Sequence, residues 1–161
     1  MARRGYAGPI AGSYWVEPGR LLAGPYPDRT ADVEALLDAG VDLFVDLTCD
    51  DEGWPDYWSG LPAGSHRRFS FRDAAAPPRE AMERVLGFLA KGLRERRTIY
   101  VHCRGGRGRT GSVVGCYLVA DGVEAAEALA ALPKWCGHPR SPETDDQLEL
   151  VRTWSTDARA S

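Results

Sequence analysis

Ten residues constrain this chain more than any others: His102-Cys103-Arg104-Gly105-Gly106-Arg107-Gly108-Arg109-Thr110-Gly111. An apolar run, Thr98 to Val101, leads into them, and an apolar stretch, Ser112 to Ala120, leads out. The pattern predicts a strand, a tight glycine-rich loop and a helix that opens near Arg109. Glycines let successive N–H groups turn into one concavity that suits an anion. The helix N-terminus adds the positive end of its dipole. Thiols in such surroundings ionise readily. The loop therefore offers Cys103 as a nucleophile and the amides of Arg104, Gly105, Gly106, Arg107 and Gly108 as donors. Arg109 adds a guanidinium that can hold two oxygens of one anion. Those parts suit attack on a phosphate ester.

A chain of 161 residues with 43% hydrophobic content can bury one core of its own. The boundaries read as a basic, glycine-rich and poorly ordered segment over 1–12, a single domain over 13–155 and a tail over 156–161. The net charge of −3 implies no general attraction to nucleic acid or to an anionic membrane. No apolar run is long enough to span a bilayer, and no signal-peptide pattern is present. Membrane insertion and nucleic-acid partners are accordingly not expected. Four cysteines, one in a reactive-looking loop, suit a reducing cytoplasm better than a disulfide framework. Cys136 and His138 lack a second ligand pair at zinc spacing, so neither metal nor cofactor is expected.

Along the chain, Ser13 to Val16 and Arg20 to Ala23 read as short strands. Thr30 is placed to cap a helix that Gly40 ends. Val41 to Leu47 reads as a buried strand, Cys49 to Gly64 as a polar loop, and His66 to Phe71 as another strand. Asp73 to Pro78 is a loop and Arg79 to Glu95 an amphipathic helix. Helices follow over Ser112 to Asp121 and Val123 to Leu132, then a loop from Pro133 to Arg140. Pro142 is placed to open a last helix, with Ser141 as its cap. Strands alternating with helices indicate an α/β fold, a central mostly parallel sheet flanked by helices. The cysteine loop belongs at the carboxyl end of the central strand.

The stretch from His102 to Gly111 resembles the signature of the cysteine-dependent protein tyrosine and dual-specificity phosphatases: His-Cys, five residues, Arg, then Ser or Thr. The resemblance implies a phosphomonoester hydrolase that works through a phosphocysteine intermediate. Its substrate would be a phosphorylated protein or another anionic phosphomonoester. Carried over residue by residue, it makes Cys103 the nucleophile and Arg109 the group that stabilises the transition state. Thr110 would hydrogen-bond the thiolate, and His102 would order the loop rather than transfer protons. The family places an aspartate general acid about thirty residues before the cysteine, where this chain has Asp73. A competitor exists in Trp54-Pro55-Asp56, the tripeptide of the general-acid loop in the tyrosine-specific branch, but a further strand candidate comes after it. Ser141 to Gln147 is similar to a motif in some dual-specificity-like relatives, in which Gln147 would position the hydrolytic water. The same residues also read as a helix start.

Some readings stay open. Basic residues at the positions of Arg104 and Arg107 occur in phosphoinositide phosphatases of the phosphatase-and-tensin type. That makes a phosphoinositide or inositol phosphate an alternative substrate. Cys49 stands where some relatives carry a cysteine that bonds to the nucleophile, or is an ordinary residue at a strand end. Cys116 falls in an apolar helix and reads as core. Rhodanese-like sulfur transfer and a catalytically silent phosphate-binding module are the remaining alternatives. The first is disfavoured by Arg109-Thr110-Gly111 and Asp73, the second by the presence of every essential group.

Overall fold

The structure, a computed structural model, describes residues 4–155. Six strands form one sheet: β1 (Tyr6–Ala7), β2 (Tyr14–Glu17), β3 (Leu21–Gly24), β4 (Leu43–Asp46), β5 (His66–Arg68) and β6 (Ile99–His102). Their spatial order is β1-β2-β3-β6-β4-β5. β2 runs antiparallel to its neighbours β1 and β3, while β3, β6, β4 and β5 run parallel. The helices are α1 (Thr30–Asp38), α2 (Arg79–Arg94), α3 (Arg109–Ala120), α4 (Ala125–Cys136) and α5 (Asp145–Thr153). A 3-10 turn covers Asp50–Glu52. The fold is the α/β arrangement that the strand and helix alternation predicts.

The central strands are buried along their whole length and mostly apolar because both of their faces are covered. Alternation divides them between two cores. Leu21, Ala23, Leu43, Val45, Ile99 and Val101 pack in the large core with residues of α2, α3, α4 and α5. Leu22, Phe44 and Tyr100 point the other way, to Leu36 of α1 and Val41. The register sets His102 between Gly24 and Asp46. The loops leaving β3 and β4 therefore flank the loop leaving β6. This places Tyr26 on one side of the cysteine loop and the Cys49–Glu52 turn on the other.

Several local expectations are corrected. Residues 4–12 are not a loose lead-in: β1 pairs with β2, and the backbone at Gly5 lies so close to Trp135 that a Cβ there would stand 2.1 Å from the indole nitrogen. Arg4 also bridges Glu17 and Asp121. The expected tail over 156–161 lies outside the described residues, as do residues 1–3. Arg29, not Thr30, is the N-cap of α1, and Thr30 is its first helical residue. α4 does not stop at Leu132 but continues through Pro133 to Cys136. Pro133 lacks the N–H of its turn, but Leu132 is fully buried and Trp135 packs against Tyr14, which holds the last turn in place. Pro142 does not open α5. Thr144 caps it in a reciprocal pair with Gln147, and Ser141 instead donates to the Arg107 carbonyl at 2.8 Å. No helix among the described residues is long and apolar enough to cross a membrane.

Candidate active site

The loop from Cys103 to Gly108 joins β6 to α3 at the carboxyl edge of the parallel strands. Its shape depends on Gly106, whose φ is +74° and at which a Cβ would stand 2.6 Å from the Gly24 carbonyl carbon. Neither the left-handed angle nor the space admits a side chain. The loop is tied down at both ends. Tyr26 N–H donates to the Arg104 carbonyl at 3.0 Å, and Ser112 donates to the Gly108 carbonyl at 2.8 Å. Cys103 is buried, and Gly106 N–H points at its sulfur at 3.3 Å. Gly108 is the N-cap of α3, so Thr110 lies inside the helix rather than capping it.

His102 is fully buried. Burial pushes its imidazole down to about 4, so it is neutral near pH 7. Its Nδ1 lies 3.1 Å from the Cys103 carbonyl, and that contact requires Nδ1–H as donor. Nε2 is then the acceptor for the Tyr57 hydroxyl at 2.6 Å. The neighbouring Asp46 is buried as well. Burial opposes its charge, but hydrogen bonds from His66 and Thr48 and the nearby imidazole of His102 outweigh that and hold it ionised far below the usual carboxylate range. A polar network thus lies beneath the loop, fully paired at His102 and at Asp46.

Arg109 is buried yet charged. Its Nη1 and Nη2 donate to the two carboxylate oxygens of Glu52 at 2.7 and 3.0 Å. Nη1 also donates to the Phe71 carbonyl at 3.0 Å. Glu52 receives the Cys49 N–H at 2.6 Å as well. Burial raises its pKa, but the bonds from Arg109, Cys49 and Trp54 bring it down to about 2. Glu52 was not a candidate in the sequence. The available signal was its place three residues after Cys49, a capping-box spacing that closes the turn and points the carboxylate back. The Arg109 Nε–H and the Thr110 hydroxyl are both buried and have no partner among the described residues.

Asp73 lies 3.5 Å from Arg109 Nη2 with most of its side chain in solvent. Ala74, next in the chain, has φ +65°, a left-handed angle unusual for a residue with a Cβ. The Asp56 carboxylate instead closes its own turn, accepting from Trp58 N–H at 2.7 Å and Ser59 N–H at 2.9 Å. Gln147 is buried. Its carbonyl oxygen accepts from Glu143 and Thr144 N–H, and its amide donates to the Ala75 carbonyl at 3.2 Å. Arg104 does not stand free. It stacks on Trp54 at 4.1 Å from the ring centroid and lies 3.7 Å from Asp28. Arg107 folds across Gly105, where a Cβ would meet its guanidinium at 3.3 Å. Cys49 is a free thiol and donates to the Phe71 carbonyl at 3.2 Å. Cys116 is core, as its apolar helix predicts.

Comparison with known proteins places this geometry. Residues 11–161 match the family described as Swiss Army Knife protein, DSP-PTPase phosphatase domain. Protein 067L of Invertebrate iridescent virus 3, which carries a tyrosine-phosphatase name, is 34% identical over 105 residues. That alignment covers 62% of this chain and 42% of the viral protein, so the chain corresponds to less than half of that relative. Among solved structures, Tk-PTP in the active form superposes with a TM-score of 0.73 at 23% identity, over 85% of this chain and 92% of its own. PTPMT1 in complex with PI(5)P gives 0.72 at 21% identity, over 88% and 94%. DUSP15 gives 0.73 at 16% identity, over 92% of each chain.

Proposed function

Since this chain belongs to the family of DSP-PTPase phosphatase domains of Swiss Army Knife proteins, we propose that it hydrolyses phosphate monoesters, phosphotyrosine or phosphoserine and phosphothreonine in proteins first among them. The observation that carries the reading is the pair of buried, unpartnered donors on Arg109 Nε and Thr110 Oγ1 beside a buried cysteine. A buried donor without a partner is costly. A phosphate oxygen would satisfy the first and the Cys103 thiolate the second.

In the first step the Cys103 sulfur attacks phosphorus, the S–P bond forms and the P–O bond to the leaving group breaks. Asp73 gives its proton to the departing oxygen. Arg109 and the inward amides hold the remaining oxygens as charge builds on them. In the second step water attacks phosphorus, Asp73 takes the water proton, the S–P bond breaks and inorganic phosphate leaves. Neutral His102 accepts from Tyr57 and donates to the Cys103 carbonyl, so it orders the loop and transfers no proton. The four free thiols are read with a reducing, cytosolic location.

Two variants test this. Cys103→Ser abolishes turnover of an aryl phosphate and leaves the melting temperature near that of the parent. Asp73→Asn lowers kcat by about 10²–10⁴ on poor leaving groups and by less on activated ones. Residual turnover by Cys103→Ser, or a loss that Asp56→Asn reproduces and Asp73→Asn does not, would overturn the mechanism.

A second reading, a multiply phosphorylated lipid or inositol substrate, rests on Arg107, which crosses the loop rim with no acidic partner within 4 Å among the described residues. Arg104 contributes less, since Asp28 offsets its charge. Arg107→Ala should raise KM for substrates with a second anionic group and barely change a simple aryl phosphate. Arg104→Ala should have the smaller effect. Rim charges are screened within about 8 Å at physiological salt, so the preference shrinks as salt is raised. Equal losses on both substrates would make Arg107 a loop-shaping residue.

A further inference from the structure

The N-terminus of α5 does two jobs with the same two side chains. Thr144 Oγ1 accepts the Gln147 N–H at 3.3 Å, which caps the helix, and donates its own proton to the Ala74 carbonyl at 3.0 Å. Gln147 Oε1 accepts from the Glu143 and Thr144 amides at 3.1 and 3.2 Å, and its Nε2–H donates to the Ala75 carbonyl at 3.2 Å. Ala74 and Ala75 come directly after Asp73. The Gln147 amide also lies against the phosphate loop, since a Cβ at Gly108 would stand 3.1 and 3.2 Å from its two polar atoms.

We propose that Thr144 and Gln147 form a latch that holds the Asp73 loop closed over Cys103. The proposal rests on the reading of Asp73 as the general acid, and it makes both side chains positioning residues. The loop needs such a latch. Ala74 holds a left-handed φ of +65°, which disfavours this conformation in isolation. Asp73 is largely exposed, and its one close partner among the described residues is Arg109 at 3.5 Å. The segment Ala74-Ala75-Ala76 has no large side chain with which to anchor itself. The two bonds to α5 supply the anchor. Because the cap and the latch use the same atoms, the closed loop is referenced to a rigid helix rather than to another loop. Beside the expectation that Gln147 positions the hydrolytic water, the latch gives it a role in holding the acid.

The two roles separate by chemistry. Asp at position 144 accepts the Gln147 N–H and caps the helix well, but as a carboxylate it cannot donate to the Ala74 carbonyl. Glu at position 147 likewise keeps both acceptor bonds and loses the donor. Ser at 144 keeps both roles. The measurements are kcat and KM for Thr144→Asp, Gln147→Glu and Thr144→Ser on phenyl phosphate and on a nitrophenyl phosphate. Neutral iodoacetamide labelling of Cys103, read by mass spectrometry, and melting temperatures complete the set.

Each latch-breaking variant should lose about 3- to 10-fold in kcat on phenyl phosphate, the weight of one hydrogen bond in the closed population. The loss on the nitrophenyl ester is smaller, the Cys103 labelling rate is unchanged, and Thr144→Ser stays within about twofold of the parent. A purely electrostatic effect of the added carboxylate would instead raise KM on both esters alike, and would overturn the latch. So would equal kcat losses on both esters, slowed labelling, or a Thr144→Ser as impaired as Thr144→Asp. Asp73→Asn is measured alongside. If it shows no leaving-group dependence, the general-acid reading falls and the latch with it. If it does while the latch variants match the parent, the latch alone falls. Should one aspartate or glutamate variant fail to fold, the other decides.

Discussion

Glu52 is the residue on which the charge of the site turns. Arg109 is 1% exposed, and burying a guanidinium, which stays charged, is costly unless it is paired. Glu52 supplies a two-point carboxylate, and the Phe71 carbonyl adds a third acceptor. The pairing uses both Nη groups and fixes the plane of the guanidinium while leaving Nε–H unused. Glu52→Gln keeps the shape, loses the charge and can accept at one oxygen only. Charge-assisted bonds contribute about 1.5–3 kcal/mol, so kcat/KM for an aryl phosphate should fall by about 10- to 100-fold. An increase, with tighter inhibition by inorganic phosphate, would instead show that Glu52 competes with substrate for Arg109. Nothing local in the sequence marks this pair, because the two residues are 57 apart. They meet only because β4 and β6 are neighbours and their outgoing loops emerge together.

At the scale of elements, the legible parts were those in which local pattern and burial agree. β6, the glycine loop and α3 arise from an apolar strand, a run of glycines and an apolar helix, and α3 is buried along nearly its whole length. The parallel core was legible from strands without polar alternation. The cysteine loop was legible from its own glycines and flanking apolar runs, and the structure sets Asp73 3.5 Å from Arg109 across 36 residues of chain. The misreadings come from contacts made at a distance. Pro133 ends a helix on local grounds, yet burial of Leu132 and the packing of Trp135 on Tyr14 carry α4 past it. Pro142 and Ser141 resemble a helix start, yet Ser141 is drawn to the Arg107 carbonyl, and the cap falls to Thr144, which also has the Ala74 carbonyl to serve. The glycine-rich opening lacks a core pattern of its own, and its order comes from Trp135 and from pairing with β2.

For the whole molecule, the buried ionisable groups set the response to acid. His102 has a reference pKa of 6.5 and a folded value of about 4. The unfolded chain therefore takes up this proton first, and stability from His102 is complete above 6.5 and lost as pH falls toward 4. Glu52 runs from 4.5 in the unfolded chain to about 2 when folded, so its contribution is present above 4.5 and lost below it. Asp46 loses its contribution at still lower pH. Melting temperature should decline between pH 6.5 and 4.5 through His102 and more steeply below 4.5 through the two carboxylates. His102→Asn should remove the upper decline and leave the lower one. A flat profile above pH 4.5 in the parent would contradict the neutral, buried imidazole. The strand order also bears on the birth of the protein. β6 lies between β3 and β4 in space but comes after both in the chain. Until Ile99 to His102 have been synthesised, β3 and β4 each present an unsatisfied parallel edge, the kind of surface that invites wrong pairing. Contacts that span so much chain also form slowly. The strand that closes this gap leads directly into Cys103, so the cysteine loop takes its shape only when the sheet is complete. On the proposed function, a nascent or half-folded chain lacks the loop geometry that phosphate transfer requires until this strand is in place.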